Sequence, residues 1–202
     1  MNIVLIGFMG TGKSAVGRAL ARRLDARFLD ADAEIERGAG RPIARIFAEE
    51  GEAAFRAMET ALLDRLVSDK DPLPLAGEGG PACRDGWGPL VLATGGGMPL
   101  REENAVLLRR IGPVVWLTAP ADVILQRVGP DLSLRPLLAA YQADPLTRIT
   151  DLLAERGPRY AAIADLIWDT ARHATPDEAA AALADELCRL AAQPRPAPAV
   201  TA

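Results

Sequence analysis

Lysine is nearly missing from this chain of 202 residues, which contains 21 arginines but only Lys13 and Lys70. Acidic residues outnumber basic ones by 27 to 23, so the formal net charge is -4. Neither a nucleic acid nor an anionic membrane surface attracts such a chain without a concentrated basic patch. Blocks of like charge are absent from the sequence. We therefore expect no nucleic-acid partner and no membrane partner.

Cysteine and long apolar runs are scarce as well. The two cysteines, Cys83 and Cys188, form no CxxC or metal-spaced pair, which is typical of a reduced, cytoplasmic chain. No stretch approaches the ~18–20 apolar residues that span a bilayer. The apolar run at residues 1–8 lacks the length and the basic leader of a secretory signal. We expect a soluble, unprocessed, cytoplasmic protein.

The apolar residues that are present alternate between strand patterns and helix patterns. Strands are predicted at 2–7, 27–30, 90–94, 114–118 and 166–169, the first of them apolar throughout its middle, as parallel-sheet strands are. Helices are predicted at 14–24, 31–38, 42–66, 102–110, 121–128, 145–156 and 176–191. Alternating strands and helices form a parallel sheet with helices on both faces. We predict a single α/β domain over residues 1–192, with three layers and a five-stranded parallel sheet.

Two segments fall outside this pattern. Residues 69–89 contain four prolines and five glycines without periodicity. Loops beyond ~12–15 residues are uncommon in compact domains, so the segment is either a functional excursion or a disordered insertion, and we favour the insertion. Residues 193–202 form a Pro/Ala tail that cannot bury a core face, and we expect the tail to be disordered.

The segment at residues 7–14, Gly-Phe-Met-Gly-Thr-Gly-Lys-Ser, matches the phosphate-loop pattern G-x-x-x-x-G-K-[ST]. It lies between a predicted strand and a predicted helix, which is the context that the motif requires. Its glycines let successive N–H groups face phosphate oxygens, Lys13 can reach the β- and γ-phosphates of ATP, and the Ser14 hydroxyl can ligate Mg²⁺. A chance match is rare in a chain with two lysines. The predicted nucleotide contacts in this segment are Gly10, Thr11, Gly12, Lys13, Ser14 and Ala15.

Two aspartates, Asp30 and Asp32, lie at the end of the second predicted strand. Ligands of open α/β sheets bind at the carboxyl ends of strands, and we expect these residues beside the phosphate loop. Two side chains at i and i+2 of an extended segment point the same way. One carboxylate could join the Mg²⁺ shell while the other accepts a hydrogen bond or a proton from an acceptor hydroxyl. Alternatively, either aspartate merely caps the next helix, although the nearby phosphate loop favours function.

The glycine triplet Gly95-Gly96-Gly97 closes the third predicted strand. Three glycines are costly in backbone entropy, so we expect something to approach the chain closely there. Their N–H groups would suit an anionic acceptor. Arg56, Arg135 and Arg156 are further candidates for such an anion. In an arginine-rich protein a single arginine is usually a solvated surface charge, and composition alone selects none of the three.

In this order, the motifs resemble those of the shikimate kinase family, a branch of the nucleoside-monophosphate-kinase-like P-loop folds. The resemblance covers about residues 2–176 and rests on 7–14, 29–36, 43–47, 51–56, 95–97, 135–138 and 156–160. It implies an ATP-dependent kinase that phosphorylates the 3-hydroxyl of shikimate, with Mg²⁺ as cofactor and a mobile lid at 128–138. Shikimate and ATP are the expected partners of a monomeric enzyme.

The resemblance also implies a role for each candidate residue. The catalytic residues would be Lys13, Asp32 and Arg135, with Asp32 as the base or orienting group and Arg135 in the lid over ATP. Ser14 and Asp30 would organise Mg²⁺. The residues that hold the acceptor would be Asp32, Arg56, Gly95, Gly96, Gly97 and Arg156.

The stretch after the last strand departs from the usual family pattern. Arg172 would contact ATP, but residues 170–176 are one residue longer than is usual and place Thr175 before the proline. The single histidine, His173, lies in this stretch, and we expect it to be solvated rather than catalytic.

Two alternatives stay open at this point. Another small-molecule kinase of the same fold, such as a gluconate kinase, would share Lys13 and Ser14 but would lack the glycine triplet together with Arg56 and Arg156. A non-catalytic nucleotide-binding module is the second alternative. A guanine-selecting switch protein would need an Asn-Lys-x-Asp segment, which the two lysines of this chain do not provide.

Overall fold

Five parallel strands form the central sheet in a computed structural model that describes residues 1–68, 89–129 and 144–192. The strands are β1 (Ile3–Ile6), β2 (Arg27–Asp30), β3 (Leu90–Ala93), β4 (Val114–Thr118) and β5 (Leu166–Asp169). Their order across the sheet is β2-β3-β1-β4-β5. β1 therefore lies in the centre and pairs in parallel with both β3 and β4. The predicted five-stranded parallel sheet is confirmed.

Helices cover this sheet on both faces. They are α1 (Lys13–Arg23), α2 (Ala31–Ala39), α3 (Ile43–Ser68), α4 (Glu102–Ile111), α5 (Ala121–Val128), α6 (Pro145–Ile163) and α7 (Pro176–Ala192). Short 3-10 helices lie at Met98–Leu100 and Thr170–Arg172. In the described ranges no helix has both the length and the apolar character needed to cross a membrane.

The three layers follow from the alternation of side chains along the strands. Ile3 and Leu5 of β1 pack in one core cluster with residues of α1 and α7. Val4 and Ile6 point to the opposite face and pack with residues of α3, α4 and α6. Because successive residues of a strand face opposite sides, both faces of an apolar strand need a helical cover, and the predicted three-layer arrangement is confirmed.

Two helices differ from their predicted forms. α6 runs to Ile163 although Pro158 lies inside it, whereas the prediction ended it at residue 156. The burial of Tyr160 and Ile163 in the core stabilises the extra turns and outweighs the lost hydrogen bond at Pro158. α3 is interrupted at Gly51, whose φ of 82° and ψ of 174° are not helical. The prediction treated residues 42–66 as one unbroken helix.

Much of the predicted insertion, lid and tail lies outside the described residues. This holds for residues 69–88 of the insertion, 130–138 of the lid and all of the tail at 193–202. The two lid residues that are described are Val128, at the end of α5, and Gly129, with a φ of 82°.

The packing of α1 on the sheet predicts opposite effects for two glycine substitutions. A Cβ atom on Gly17 would lie 2.5 Å from the Phe28 ring, whereas one on Gly38 would meet nothing within 4 Å. We expect Gly17→Ala to lower the free energy of unfolding by about 1–3 kcal/mol through overpacking. The matched control Gly38→Ala should raise it by about 0.5–1 kcal/mol, because alanine favours the helix. Urea unfolding measures both, and a stabilising Gly17→Ala would contradict the packing described here.

Candidate active site

The phosphate loop leads from the end of β1 into α1. Gly7, Gly10 and Gly12 have φ values of 141°, 75° and 93°, a region that L side chains rarely adopt. The Nζ atom of Lys13 donates hydrogen bonds to the carbonyl oxygens of Gly7 and Phe8, each at 2.9 Å. The ammonium group is therefore folded back over the loop, where it can meet phosphate oxygens that the loop amides also face.

The start of α1 adds to the positive character of the loop. No acidic residue lies in the first turn of this helix, so its free N–H groups and the positive end of its dipole favour an anion. Thr11, which is buried, closes the loop through a hydrogen bond from its hydroxyl to the carbonyl oxygen of Phe8 at 2.7 Å. This part of the site therefore has the geometry and electrostatics of a phosphate-binding loop.

Asp30 ends β2 and faces the start of α1. The Ser14 hydroxyl donates a hydrogen bond to its Oδ2 at 2.6 Å, while its Oδ1 accepts one from the N–H of Ala33 at 3.4 Å and caps α2. The capping interpretation thus applies to Asp30, while its place in a Mg²⁺ shell stays a prediction. Ser14 and Asp30 bring two hard oxygen donors together, which is the kind of ligand that Mg²⁺ prefers.

Asp32 does not lie in an extended segment, although the prediction that its side chain points the same way as that of Asp30 required one. β2 ends at Asp30, and Asp32 belongs to the first turn of α2, because Asp30 caps the helix and ends the strand there. β2 is also not the neighbour of β1, since β3 lies between them. Asp30 and Asp32 nevertheless line the same cleft as Lys13 and Ser14.

The carboxyl group of Asp32 is buried against the end of β3. A Cβ atom on Gly95 would lie 2.5 Å from its Oδ1. Burial raises the pKa of Asp32, the negative charge of Asp30 raises it further, and the positive charge of Lys13 lowers it. A carboxylate with a raised pKa accepts a proton more readily, which suits a general base.

Arg56 lies on α3 between two glutamates and the glycine triplet. Its Nη1 donates to Glu59 Oε2 at 2.9 Å, and its Nε and Nη2 donate to Glu52 Oε1 at 3.2 and 2.8 Å. A Cβ atom on Gly97 would lie 2.6 Å from Nη1. The guanidinium group is therefore held at the end of β3 in a defined orientation.

Glu59 is a site residue that the sequence analysis missed. It is fully buried, and burial raises the pKa of its carboxyl group, while the hydrogen bond and charge of Arg56 lower it. Its position three residues after Arg56, next to the buried Leu62 and Leu63 on the same helix, is the signal that could have identified it. An acidic residue on the apolar face of a helix is expected to have a charged partner.

Each glycine of the triplet has a different close neighbour. Gly95 lies against Asp32, Gly97 lies against Arg56, and Gly96 approaches the phosphate loop, since its Cβ atom would lie 3.6 Å from the carbonyl oxygen of Gly7. The close approach expected from the sequence is thus made by parts of the protein itself. Whether the triplet's N–H groups bind an anion stays a prediction.

Arg156 lies on α6 and approaches the phosphate loop from the other side. Its guanidinium carbon lies 5.6 Å from the ring centre of Phe8, within the range of a cation–π contact. Its Nε atom is buried and makes no hydrogen bond to any residue in the described part of the chain. The two arginines thus lie on separate helices. Arg56 lies against the glycine triplet, and Arg156 lies against Phe8 of the phosphate loop.

Two further nucleotide contacts, Arg135 and Arg172, were predicted outside the phosphate loop. The cleft has a volume of about 630 Å³, and its lining includes Arg127 and His173 but not Arg172. The Arg172 side chain is 80% exposed and pairs with Asp169 at 3.3 Å, so its contact with ATP stays a prediction. Arg135 lies outside the described residues.

Arg127 lines the cleft, although no role was predicted for it from the sequence. Its Nη1 donates to the Thr170 hydroxyl at 2.8 Å and its Nη2 to the Thr170 carbonyl at 3.3 Å, which fixes the guanidinium at the edge of the cleft. No motif marks this residue, because its partner lies 43 positions away along the chain. His173 is half-buried and stacks on Trp168, with ring centres 5.5 Å apart.

Comparisons with known proteins point to one family. The family model described as shikimate kinase matches residues 9–188. The shikimate kinase of Desulforudis audaxviator is 60% identical over 79 residues, which are 39% of this chain and 41% of that relative. The shikimate kinase of Thermobifida fusca is 41% identical over 184 residues, which are 91% of this chain and 93% of that relative. The aligned part thus spans about two fifths of the first relative and nearly all of the second.

Solved structures give the same result for the fold. A structure described as shikimate kinase from Acinetobacter baumannii in complex with shikimate has a TM-score of 0.78 and 36% identity, and the match covers 95% of each chain. The shikimate kinase of Aquifex aeolicus has a TM-score of 0.69 and 30% identity, covering 95% of this chain and 98% of that one.

The burial of Asp32 predicts a pH-dependent cost in stability. Its pKa is raised in the folded protein, so the folded state binds more protons than the unfolded chain, and this group's contribution to stability rises as the pH falls toward its unfolded pKa of about 4. We expect Asp32→Asn to raise the free energy of unfolding at about pH 7, and the gain over the parent to shrink at lower pH. Urea unfolding at a series of pH values measures this.

Asp30→Asn is the matched control for this prediction. It should not stabilise the fold, because the Asp30 carboxylate accepts hydrogen bonds from Ser14 and Ala33. A loss of stability in Asp32→Asn at neutral pH would contradict the prediction, because it would show that the Asp32 carboxylate stabilises the fold.

Proposed function

The chain belongs to the shikimate kinase family, and from this premise we propose that it transfers the γ-phosphoryl group of ATP to the 3-hydroxyl of shikimate, giving 3-phosphoshikimate and ADP. The observation that carries the proposal is that Lys13 and Ser14 of the phosphate loop line one cleft with Asp32 and Gly96. A phosphate-binding site and a candidate acceptor site thus adjoin. The shikimate complex of the A. baumannii relative supports the identity of the acceptor.

At one end of the cleft, the phosphate loop would hold the triphosphate of ATP. The loop amides and the ammonium of Lys13 would donate to phosphate oxygens and neutralise the charge that develops on transfer. The cleft continues past the start of α1 to Arg127, Thr170 and residues 173–176, where the base of the nucleotide would lie. In this proposal Arg135, in the lid at 128–138, meets the γ-phosphate in the transition state, and lid closure excludes water.

Ser14 and Asp30 would hold Mg²⁺. Their oxygen atoms lie 2.6 Å apart at the edge of the phosphate loop, and two hard oxygen donors beside a phosphate site fit this ion. When bound, Mg²⁺ would supply charge neutralisation on the phosphates.

At the other end, the acceptor would be positioned by charge and by a base. Arg56, Arg156 and the amides of Gly95–Gly97 would hold the carboxylate of shikimate, because arginine presents its donors in a fork that matches a carboxylate. Asp32 would orient the 3-hydroxyl and accept its proton as the oxygen attacks the γ-phosphorus and ADP leaves. Burial raises the pKa of Asp32, which favours this proton transfer.

We further propose that the enzyme is monomeric and cytoplasmic, with small molecules as its only partners. Support comes from the net charge of -4, from the absence of like-charge blocks, and from two cysteines that form no CxxC or metal-spaced pair in the sequence. These features supply no surface for a polyanion and no disulfide framework.

A coupled assay of ADP release tests the proposed reaction directly. We expect turnover with shikimate, and little with gluconate or nucleoside monophosphates.

Lys13→Met should lower the rate of ADP release by at least about a hundredfold, because the ammonium serves bound phosphate. Lys13→Arg should lower this rate as well, because the planar guanidinium does not fit the space of the ammonium. Urea unfolding should show both variants folded. Preferred turnover of gluconate would support the alternative kinase, and full activity of Lys13→Met would contradict the phosphate-loop assignment.

The proposed carboxylate site predicts a separation between the two substrates. Arg56→Leu and Arg156→Leu should each weaken acceptor binding by about 2–5 kcal/mol, since a desolvated carboxylate loses a charge-assisted contact. The Kd of ATP without acceptor should stay the same. Calorimetric titration with shikimate, with a carboxylate-free analogue and with ATP measures each value.

Arg159→Leu is the matched control, because Arg159 is exposed and lies three residues after Arg156 on the same helix. It should leave the binding of both substrates unchanged. If Arg56→Leu or Arg156→Leu still distinguished the acid from its analogue as fully as the parent does, that arginine would not contact the carboxylate.

A further inference from the structure

The hydroxyl group of Tyr160 lies directly behind the glycine triplet. The side chain is fully buried on α6, and its ring centre lies 5.7 Å from that of Trp116. Its hydroxyl donates a hydrogen bond to the carbonyl oxygen of Gly96 at 2.7 Å. A buried phenol usually finds a hydrogen-bond partner, but here the partner is a backbone group of the candidate acceptor site.

Fixing the carbonyl of Gly96 also fixes the N–H of Gly97. The peptide unit between them is planar and trans, so the C=O and the N–H point in opposite directions, and the N–H of Gly97 points away from Tyr160. Consecutive glycines have the greatest backbone freedom, so this peptide plane needs an external anchor. Among the described residues, neither Gly96 nor Gly97 donates its N–H to an acceptor.

Tyr160 is also close to Arg156. The two residues are four positions apart on α6, so their side chains lie on the same face of the helix. Burial raises the pKa of the Tyr160 hydroxyl, and the positive charge of Arg156 opposes this rise. The Tyr160 hydroxyl therefore has two polar neighbours, the carbonyl of Gly96 and the guanidinium of Arg156.

We propose that Tyr160 is a positioning residue for the acceptor. Its hydroxyl holds the Gly96–Gly97 peptide and the Arg156 guanidinium in the relative placement that lets both donate to one carboxylate. The inference rests on the proposed function, because the carboxylate in question is that of shikimate. A role in core packing alone would need the aromatic ring, which contacts Trp116, but not the hydroxyl.

Tyr160→Phe separates these two roles, because it keeps the ring and removes only the hydroxyl. We expect the affinity for shikimate to fall about five- to tenfold, which is the loss typical of one hydrogen bond. The affinity for a carboxylate-free analogue and the Kd of ATP should stay within about twofold of the parent. The rate at saturating shikimate should change little, since neither Lys13 nor Asp32 is moved. Calorimetric titration, the ADP-release assay and urea unfolding measure these quantities.

A double-mutant cycle with Arg156→Leu tests whether the hydroxyl acts through Arg156. If it does, the loss of shikimate affinity caused by Tyr160→Phe should be smaller when Arg156 is already leucine. Additive losses would leave only the Gly96–Gly97 peptide as the route and would overturn the part of the proposal that concerns Arg156.

Three outcomes would overturn the proposal as a whole. An unchanged affinity ratio between shikimate and its analogue in Tyr160→Phe would reject it and leave the proposed function intact. Failure of Tyr160→Phe to fold, under conditions where Arg156→Leu is folded, would make the hydroxyl a determinant of folding instead. A parent protein without shikimate turnover would reject both the proposed function and this inference.

Discussion

β3 lies between the strand that leads into the phosphate loop and the strand that ends at Asp30. Its continuation, the glycine triplet, therefore passes through the middle of the candidate site, where Gly95 and Gly97 have to be free of side chains. Any Cβ atom on Gly95 or Gly97 would collide with Asp32 or Arg56. Because of this one steric constraint, a carboxylate and a guanidinium can lie within reach of the phosphate loop although they come from different helices.

The same arrangement places several charged side chains close together in the protein interior. Asp32 and Glu59 both have raised pKa values because of burial, and Arg56 is the cation that lies near both. Buried ion pairs rarely repay the loss of hydration in full, so this cluster is a cost that the apolar cores on both faces of the sheet have to offset. Such a cost is common where a site must present charge to a ligand.

The sequence predicted the local parts of this structure and missed the parts that depend on distant contacts. The phosphate loop, the strands and the helix starts are encoded in short windows, so Lys13 and Ser14 could be identified from a single motif. The order of the strands is not encoded locally, and the sequence therefore did not predict that β3 lies between β1 and β2. Arg127 escaped for a related reason, because no periodicity or motif indicates its distant partner Thr170. Glu59 is different, since its partner Arg56 lies three residues earlier on the same helix.

The two described tryptophans lie on the neighbouring strands β4 and β5 and pack on opposite faces of the sheet. Trp116 contacts Tyr160, behind the glycine triplet, and Trp168 stacks on His173, which lines the end proposed for the base. Indole fluorescence responds to neighbouring charge and to water. Each indole therefore contacts a different residue next to the candidate site, Tyr160 or His173, and variants that keep only Trp116 or only Trp168 would allow ligand binding near each of these residues to be followed optically and in time, without any attached dye.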